Sequence, residues 1–378
     1  MTTHSRQRLT RRRPPLAALL GMVGALAAAC SKPIETPQPE TRVAEVSAKD
    51  TVLIYLYLIG DAGAPNPRGE PVLQALGADL AARKSGERLV VYLGDNIYME
   101  GMPDSSAGAR AIAERRLSPQ VDVLKPTKTK GVFVPGNHDW DNSGPDGWAA
   151  VRRAEKFVLD RADGLAIQAP ADGCPGPVAI DVAKSLRVIM LDTEWWLRRG
   201  PKPRADSKCA SDTEADIVRA TDSLMAGAEG RRVVIASHHP MLTGGPHAGA
   251  GDHEDLGSVP YRHMRGKLTP VFDRRKPMLV AAGHDHSLQV IHATGGWPQL
   301  VSGAGIYGHT SGVRTVPGMK FGRGVAGYAR LDMIADGRSR LSVLAVNAAG
   351  RAEEVYAEWL EPPPTAPDSS APAPRTGS

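Results

Sequence analysis

Eight polar side chains of this 378-residue sequence stand at or just beyond the end of a short apolar run: Asp61, Asp95, Tyr98, Asn137, His138, His238, His284 and His286. Carboxylate, phenol, amide and imidazole are oxygen and nitrogen donors, and no thiol is among them. Singly, each has an ordinary use. An Asp after Gly shapes a turn or caps a helix, and a lone His is more often a hydrogen-bonded structural residue than a ligand. Gathered in one place they would form a cluster of charge and imidazole that is costly to bury unless cations neutralise it. Such a donor set suits iron, zinc or manganese. The signatures of other chemistries are missing: there is no Gly-x-Ser-x-Gly, no P-loop, no His-Glu-x-x-His, and no Gly-rich phosphate loop after the first strand signal.

The elements that must position these groups are legible as short runs. Residues 51–59 are apolar, β-branched or aromatic and stop at Gly60-Asp61; residues 89–93 stop at Gly94-Asp95; residues 132–134 stop at Pro135-Gly136-Asn137-His138-Asp139. Between the first two, Val72, Leu73, Leu76 and Leu80 carry helical spacing over 71–83. Further runs at 186–191, 232–236 and 278–282 end at Asp192, at Ser237-His238-His239-Pro240 and at Gly283-His284-Asp285-His286. Short buried strands separated by helices predict a largely parallel sheet, with functional groups beyond the strand C-termini. Strand-like runs near 289–292, 299–301, 326–332 and 341–346 read as antiparallel strands of a second sheet. The expected fold class is α/β, a four-layer α-β-β-α sandwich of two mixed β-sheets flanked by helices.

In order and local context, five blocks resemble the calcineurin-like metallophosphoesterases, and within them the purple acid phosphatases. These are Gly60-Asp61-Ala62-Gly63, Gly94-Asp95-Asn96-Ile97-Tyr98, Gly136-Asn137-His138-Asp139, Ser237-His238-His239-Pro240 and Gly283-His284-Asp285-His286. Leu191-Asp192-Thr193 and Val301-Ser302-Gly303-Ala304-Gly305 are similar too, so the likeness runs over about 52–360. It implies that Asp61, Tyr98 and His286 bind a first metal and Asn137, His238 and His284 a second, with Asp95 bridging both. Many relatives outside the purple acid phosphatases have Asp-x-His in the first block, where this chain has Gly63. Tyr98, three residues after Asp95, fits a phenolate ligand instead; the alternative is a Tyr98 that merely packs nearby. Phenolate favours Fe(III), so the implied pair is Fe(III) with a divalent Fe, Zn or Mn. His138 and His247 match outer histidines that assist the leaving alcohol, although a plain loop histidine also fits the Gly-rich surroundings of His247.

The activity implied is that of an acid phosphatase, hydrolysing phosphomonoesters with water activated on the metals as nucleophile. A phosphodiesterase or nucleotide hydrolase would use the same centre, and a non-catalytic envelope protein that binds phosphate or a partner is the reading from another class. Among the remaining candidates, Asp192 is read either as a partner of a metal-binding His or as a turn residue, and His239 as pocket wall or surface. His253, His263, His292 and His309 are read as structural. Trp195 and Trp196 either wall the cleft or pack. Asp139 and Asp285 are read as loop-shaping.

Net charge misleads in this chain. The five cations before Cys30 (Arg6, Arg8, Arg11, Arg12 and Arg13) account for the whole excess of +5, and the rest carries 41 basic and 41 acidic residues. Charge therefore argues for no nucleic-acid partner; the expected partner is a small phosphate ester. The basic run and the apolar stretch 16–29 read as an export signal, followed by Cys30 in a lipobox-like setting. Lipidation of Cys30, simple cleavage and an uncleaved anchor remain as three readings. The expected domains are a signal peptide at 1–29, a Pro-rich tether at 30–50, a catalytic domain at 51–360 and a disordered tail at 361–378. Membrane contact is expected only through a lipid anchor at Cys30, and the location is the bacterial periplasm or cell envelope. Cys174 and Cys209 would pair in an oxidising compartment, the alternative being two free thiols.

Overall fold

A computed structural model describes residues 43–106, 108–204 and 207–360. The expected signal segment, Cys30, the first part of the tether and the tail at 361–378 lie outside the described residues. The first half of the chain alternates strand and helix: β1 (Val52–Ile59), α1 (Pro71–Ala82), β2 (Glu87–Leu93), α2 (Arg110–Asp122), β3 (Lys130–Val134), α3 (Gly147–Ala162) and β4 (Ala166–Gln168). It continues with β5 (Val178–Val182), β6 (Leu186–Met190), α4 (Glu194–Leu197), α5 (Glu214–Ala226), β7 (Arg232–Ala236), α6 (Val259–Arg275) and β8 (Leu279–Ala282). Six strands close the chain: β9 (Leu288–His292), β10 (Pro298–Ser302), β11 (Met319–Arg323), β12 (Gly327–Ile334), β13 (Ser339–Val346) and β14 (Ala352–Leu360).

These strands form two seven-stranded sheets, ordered β14-β13-β12-β1-β2-β3-β4 and β11-β9-β10-β8-β7-β6-β5. Both are mixed. In the first, β1 to β4 run parallel while β12, β13 and β14 add on antiparallel. In the second, β6, β7, β8 and β10 are parallel, β5 pairs antiparallel with β6, and β9 pairs antiparallel with both β10 and β11. The late strands thus correct the sequence reading, which put them all in one second sheet. Residues 327–334 cross back to pair with β1 in the first sheet and residues 339–346 pair in turn with 327–334, so of these runs only 288–292 and 298–302 join the second.

Side-chain alternation turns two sheets into four layers. Along β1, Ile54, Leu56 and Leu58 face the core between the sheets, where they meet Val234 and Ala236 of β7 and Leu279 and Ala281 of β8. The alternate residues Tyr55, Tyr57 and Ile59 face outward into a core that includes Val72, Leu76 and Leu80 of α1, Leu117 of α2 and Val158 of α3. On the far side, Val233 and Ile235 of β7 and Val280 of β8 face Ile217 of α5 and Met264 and Leu268 of α6. A strand buried on both faces cannot alternate with polar residues, which is why these segments read as continuous apolar runs. Cys174 and Cys209 form a disulfide across 35 residues. No helix among the described residues is long and apolar enough to cross a membrane.

One buried charge group ties a helix to the first sheet. Arg330 on β12 is 9% exposed and reaches Asp332 at 2.7 Å and Asp79 of α1 at 2.8 Å. Removing one partner strands the remaining charges away from water. Arg330→Met is therefore expected to lower unfolding free energy by about 3 kcal/mol in a denaturant titration; a loss near zero would show that the two carboxylates find other partners.

Candidate metal centre

The parallel strands of both sheets deliver their C-terminal ends to one place, where hydrogen bonds stitch the sheets together. Gly60 N–H, just after β1, donates to Ser302 O at 2.7 Å, and Gly305 N–H donates back to Gly60 O at 3.0 Å. Asp61 N–H donates to Gly94 O at 2.9 Å, and Gly283 N–H to His238 O at 2.9 Å. The turns that leave these strands are tight. Asp61, Asp95 and His284 all take left-handed backbone conformations (φ 58°, 54° and 71°), which for residues with a Cβ are strained and typical of functional sites. Glycine is required beside them by close approach: a Cβ on Gly136 would collide with Asp95, and one on Gly283 with the Asp61 carboxylate.

Donor atoms converge in two adjoining groups. In the first, Tyr98 Oη lies 3.1 Å from Asp61 Oδ1 and 3.0 Å from His286 Nε2. Donor atoms of Asp61, Asp95 and His286 fall within 4.8 Å of one another. In the second group, His238 Nε2 is 2.9 Å from Asn137 Oδ1 and 3.5 Å from Asp95 Oδ1, so Asp95 stands between the two. Donor atoms of His238, His239 and His284 also fall within 4.8 Å of one another.

Backbone carbonyls fix the tautomers. His238 Nδ1 is 2.9 Å from Leu93 O and His284 Nε2 is 3.2 Å from Glu254 O. A carbonyl only accepts, so those nitrogens carry the protons, and the opposite nitrogens keep lone pairs for a ligand. Backbone amides brace the carboxylates: His284 N–H donates to Asp61 Oδ2 at 2.9 Å and His138 N–H to Asp95 Oδ1 at 3.0 Å.

Electrostatics show what it takes to bury this set. Burial acts to raise the Asp61 carboxyl, but the hydrogen bond from His286 and the nearby His238 and His286 outweigh it and hold the group below its usual range. Burial, then the charges of Asp61 and Asp95, push the Tyr98 phenol well above its ordinary value. Burial and neighbouring imidazoles hold His284 and His239 well below the usual histidine value. Burial drives Asp139 to about 7, with Asp95 adding to it, and drives Glu254 to about 7, again with Asp95 contributing.

Around the two groups the histidines take different places. His138 packs edge-on to Tyr98, its ring centroid 4.5 Å away, and its Nδ1 is bound to Met99 O at 2.7 Å. His247 lies over His284 with centroids 4.0 Å apart. His309, read from the sequence as structural, is instead at the mouth, its ring 4.2 Å from that of His286 and 5.6 Å from that of Tyr98. Its signal was position alone, four residues after Gly305 in the Val301–Gly305 block. His239 is no surface residue: it is fully buried, bonded through Nδ1 to Thr193 Oγ1 at 2.9 Å, with Nε2 lacking a hydrogen-bond partner. His253, His263 and His292 pair with carboxylates through Asp252, Glu214 and Glu358.

Asp192 bonds no histidine. It accepts from Trp140 Nε1 at 2.8 Å and from the Trp195 amide at 3.2 Å. Trp195 and Trp196 are buried in the core behind the second sheet rather than lining a cleft. Asp139 accepts from the amides of Gly136, Asn96 and Ile97 at 2.8–3.0 Å, locking the third block onto the second.

No protein-family model matches the sequence, and no curated protein matches it. Solved structures do. GAP50, described as the anchor in the inner membrane complex of Plasmodium, aligns with a TM-score of 0.55 and 14% identity over 83% of this chain and 90% of that one. Purple acid phosphatase PPD1 from yellow lupin (Lupinus luteus) seeds aligns with a TM-score of 0.56 and 13% identity over 82% of this chain and 54% of that one. The chain has the metallophosphoesterase fold. It spans about half the length of the lupin protein, and at these identities the likeness is one of fold.

The role of Asp139 is open to a direct check. Asp139→Ala removes the acceptor that joins Asn96, Ile97 and Gly136, without touching a donor atom of either group. It is expected to weaken metal affinity by about 10- to 100-fold in a calorimetric titration. Unchanged affinity would mean that the second and third blocks hold their places without it.

Proposed function

We propose that this chain is a binuclear-metal phosphoesterase, most simply an acid phosphatase acting on phosphomonoesters. One observation carries the reading: donor atoms of Asp61, Tyr98 and His286 meet on one side of Asp95, and those of Asn137 and His238 on the other. The donor set fits a pair of cations. Two of its imidazoles, His238 and His284, have one nitrogen fixed by a carbonyl, and burial with the charges of Asp61 and Asp95 holds its phenol well above the ordinary range.

In this reading Asp61, Tyr98 and His286 hold a first ion, Asn137, His238 and His284 a second, and Asp95 both. Phenolate at Tyr98 favours Fe(III), with divalent Fe, Zn or Mn as its companion. Such a pair, when bound, neutralises phosphate oxygens and lowers the pKa of water to make a nucleophile available near neutral pH. His138 contributes a free Nε2 above Asp95, 3.9 Å from its Oδ2, held there by the Met99 carbonyl. His247 contributes a second imidazole over His284. Both are placed to assist departure of the alcohol. The Cys174–Cys209 disulfide supports export to an oxidising compartment, in keeping with the basic and apolar leader.

The second reading, a non-catalytic envelope protein, draws on GAP50, which has this fold and is described as an anchor. Here the complete donor set favours the enzyme. The chain from residue 31 onward would be loaded with iron, zinc and manganese in turn and assayed with a phosphomonoester and a phosphodiester dye. About two metals per chain, a broad tyrosinate-to-iron absorption band and turnover lost in Asp95→Ala are expected. Two divalent ions without colour would keep the enzyme and remove Tyr98 from the ligand set. Preference for the diester would move the assignment to the phosphodiesterases. A folded chain that takes up no metal and turns over neither ester would leave the binding-protein reading.

A further inference from the structure

We propose that Asp255 is the positioning residue of His247, so that a carboxylate–imidazole pair, rather than a lone loop histidine, serves the leaving group. The inference rests on the phosphoesterase reading. His247 Nδ1 lies 3.0 Å from Asp255 Oδ1. A carboxylate accepts at that contact, so the ring carries its proton on Nδ1 and Nε2 is the nitrogen left free. The other oxygen of Asp255 accepts the amides of Gly251 at 2.8 Å and Asp252 at 3.1 Å. Asp255 is therefore anchored independently of the ring it holds.

The backbone of His247 is pinned as well. Its N–H donates to Asp285 Oδ1 at 3.1 Å, and its carbonyl accepts from Leu256 N–H at 2.8 Å. Asp285 lies between His284 and His286 in sequence, and its other oxygen accepts from Thr243 Oγ1. The residue before Asp255 takes part too: Glu254 O accepts from Nε2 of His284, the ring on which His247 stacks 4.0 Å away at 31°. The dipeptide Glu254-Asp255 thus orients two stacked imidazoles at once, one with a carbonyl and one with a carboxylate. A histidine in a Gly-rich loop needs no such double restraint to remain folded, but a group that must meet a departing oxygen does.

In the step served, the bond between phosphorus and the alcohol oxygen breaks with its electron pair going to oxygen. That oxygen takes the proton from Nε2 of protonated His247, while Nδ1–H stays on Asp255. The attacking water gives up a proton in the same turnover, so the balance closes without another reactant.

The test uses the metal-loaded chain and a series of aryl and alkyl phosphates of graded leaving-group acidity, comparing wild type, Asp255→Asn, His247→Asn and the double variant. For the poorest leaving group, Asp255→Asn is expected to lower kcat about 10-fold, against a loss of about 10²-fold in His247→Asn. For the best leaving group both should fall less than about twofold, because little proton donation is needed there. The double variant should be no slower than His247→Asn, with metal content unchanged throughout. Should Asp255→Asn fail to fold, Asp255→Ser gives the same comparison with a smaller acceptor. An equal loss for every leaving group, or losses that multiply in the double variant, would overturn the pairing and leave Asp255 as a loop staple. A wild type that binds no metal or hydrolyses none of the series would sink the phosphoesterase reading itself, and the pairing with it.

Discussion

The turns after five short strands (β1, β2, β3, β7 and β8) meet at one place, and what they bring there is a concentration of carboxylate and imidazole that water scarcely reaches. Asp61 and Asp95 are each 1% exposed and His238 is fully buried. The penalty for burying such groups is several kcal/mol each unless they are paired. The chain meets part of it with its own dipoles: the amides of His284 and His138 donate to the two aspartates, and the carbonyls of Leu93 and Glu254 take the imidazole protons. The remainder shows in displaced ionisation, with the Tyr98 phenol driven up and His284 driven down. A cation would lower the Tyr98 phenol again and would meet His284 in the neutral form that burial already favours.

That constraint explains why the loops that carry the donor atoms are held by residues outside the donor set. Asp139 fastens the third block to the second through three backbone amides, and Asp285 fastens the fifth block to the loop of His247. Each sheet thereby has its own carboxylate for shaping loops, leaving Asp61 and Asp95 free to turn their oxygens inward. The left-handed backbone at Asp61, Asp95 and His284 belongs to the same arrangement. A chain leaving a buried strand must turn at once to bring its first polar residue to the common centre, and the stitching through Gly60, Ser302 and Gly305 resists relaxation of that turn.

Much of this was legible because its signal is local. A strand buried on both faces is a continuous apolar run, and a run that stops at Gly-Asp or Gly-His announces both its end and its cargo. The layer count followed from the same runs. What escaped was set by partners far away in sequence. Whether residues 327–334 lie in the first or the second sheet depends on antiparallel pairing with β1, more than 260 residues earlier, and the apolar pattern is the same in either place. Asp192 found its partner in Trp140, 52 residues away, instead of a histidine. His239 and His309 read as ordinary because a lone histidine carries no periodic signal; only the packing of the rings shows one buried behind His284 and the other at the mouth beside His286.

The first block illustrates how one residue choice constrains another. A side chain at position 63 would point at the backbone of the second block: a Cβ there would meet Asp95 O at 2.5 Å and Ile97 N at 2.6 Å. Gly63 O also accepts from Tyr98 N–H at 3.0 Å, so the two blocks touch through main chain along this line. A histidine at position 63 cannot share space with a second block in this register. The same close approach carries Tyr98 inward until its phenol stands between Asp61 and His286. Gly63 and Tyr98 are thus one structural decision rather than two substitutions. With no side chain at position 63, the two blocks close on each other and the second brings a phenol, not an imidazole, to the side of Asp61.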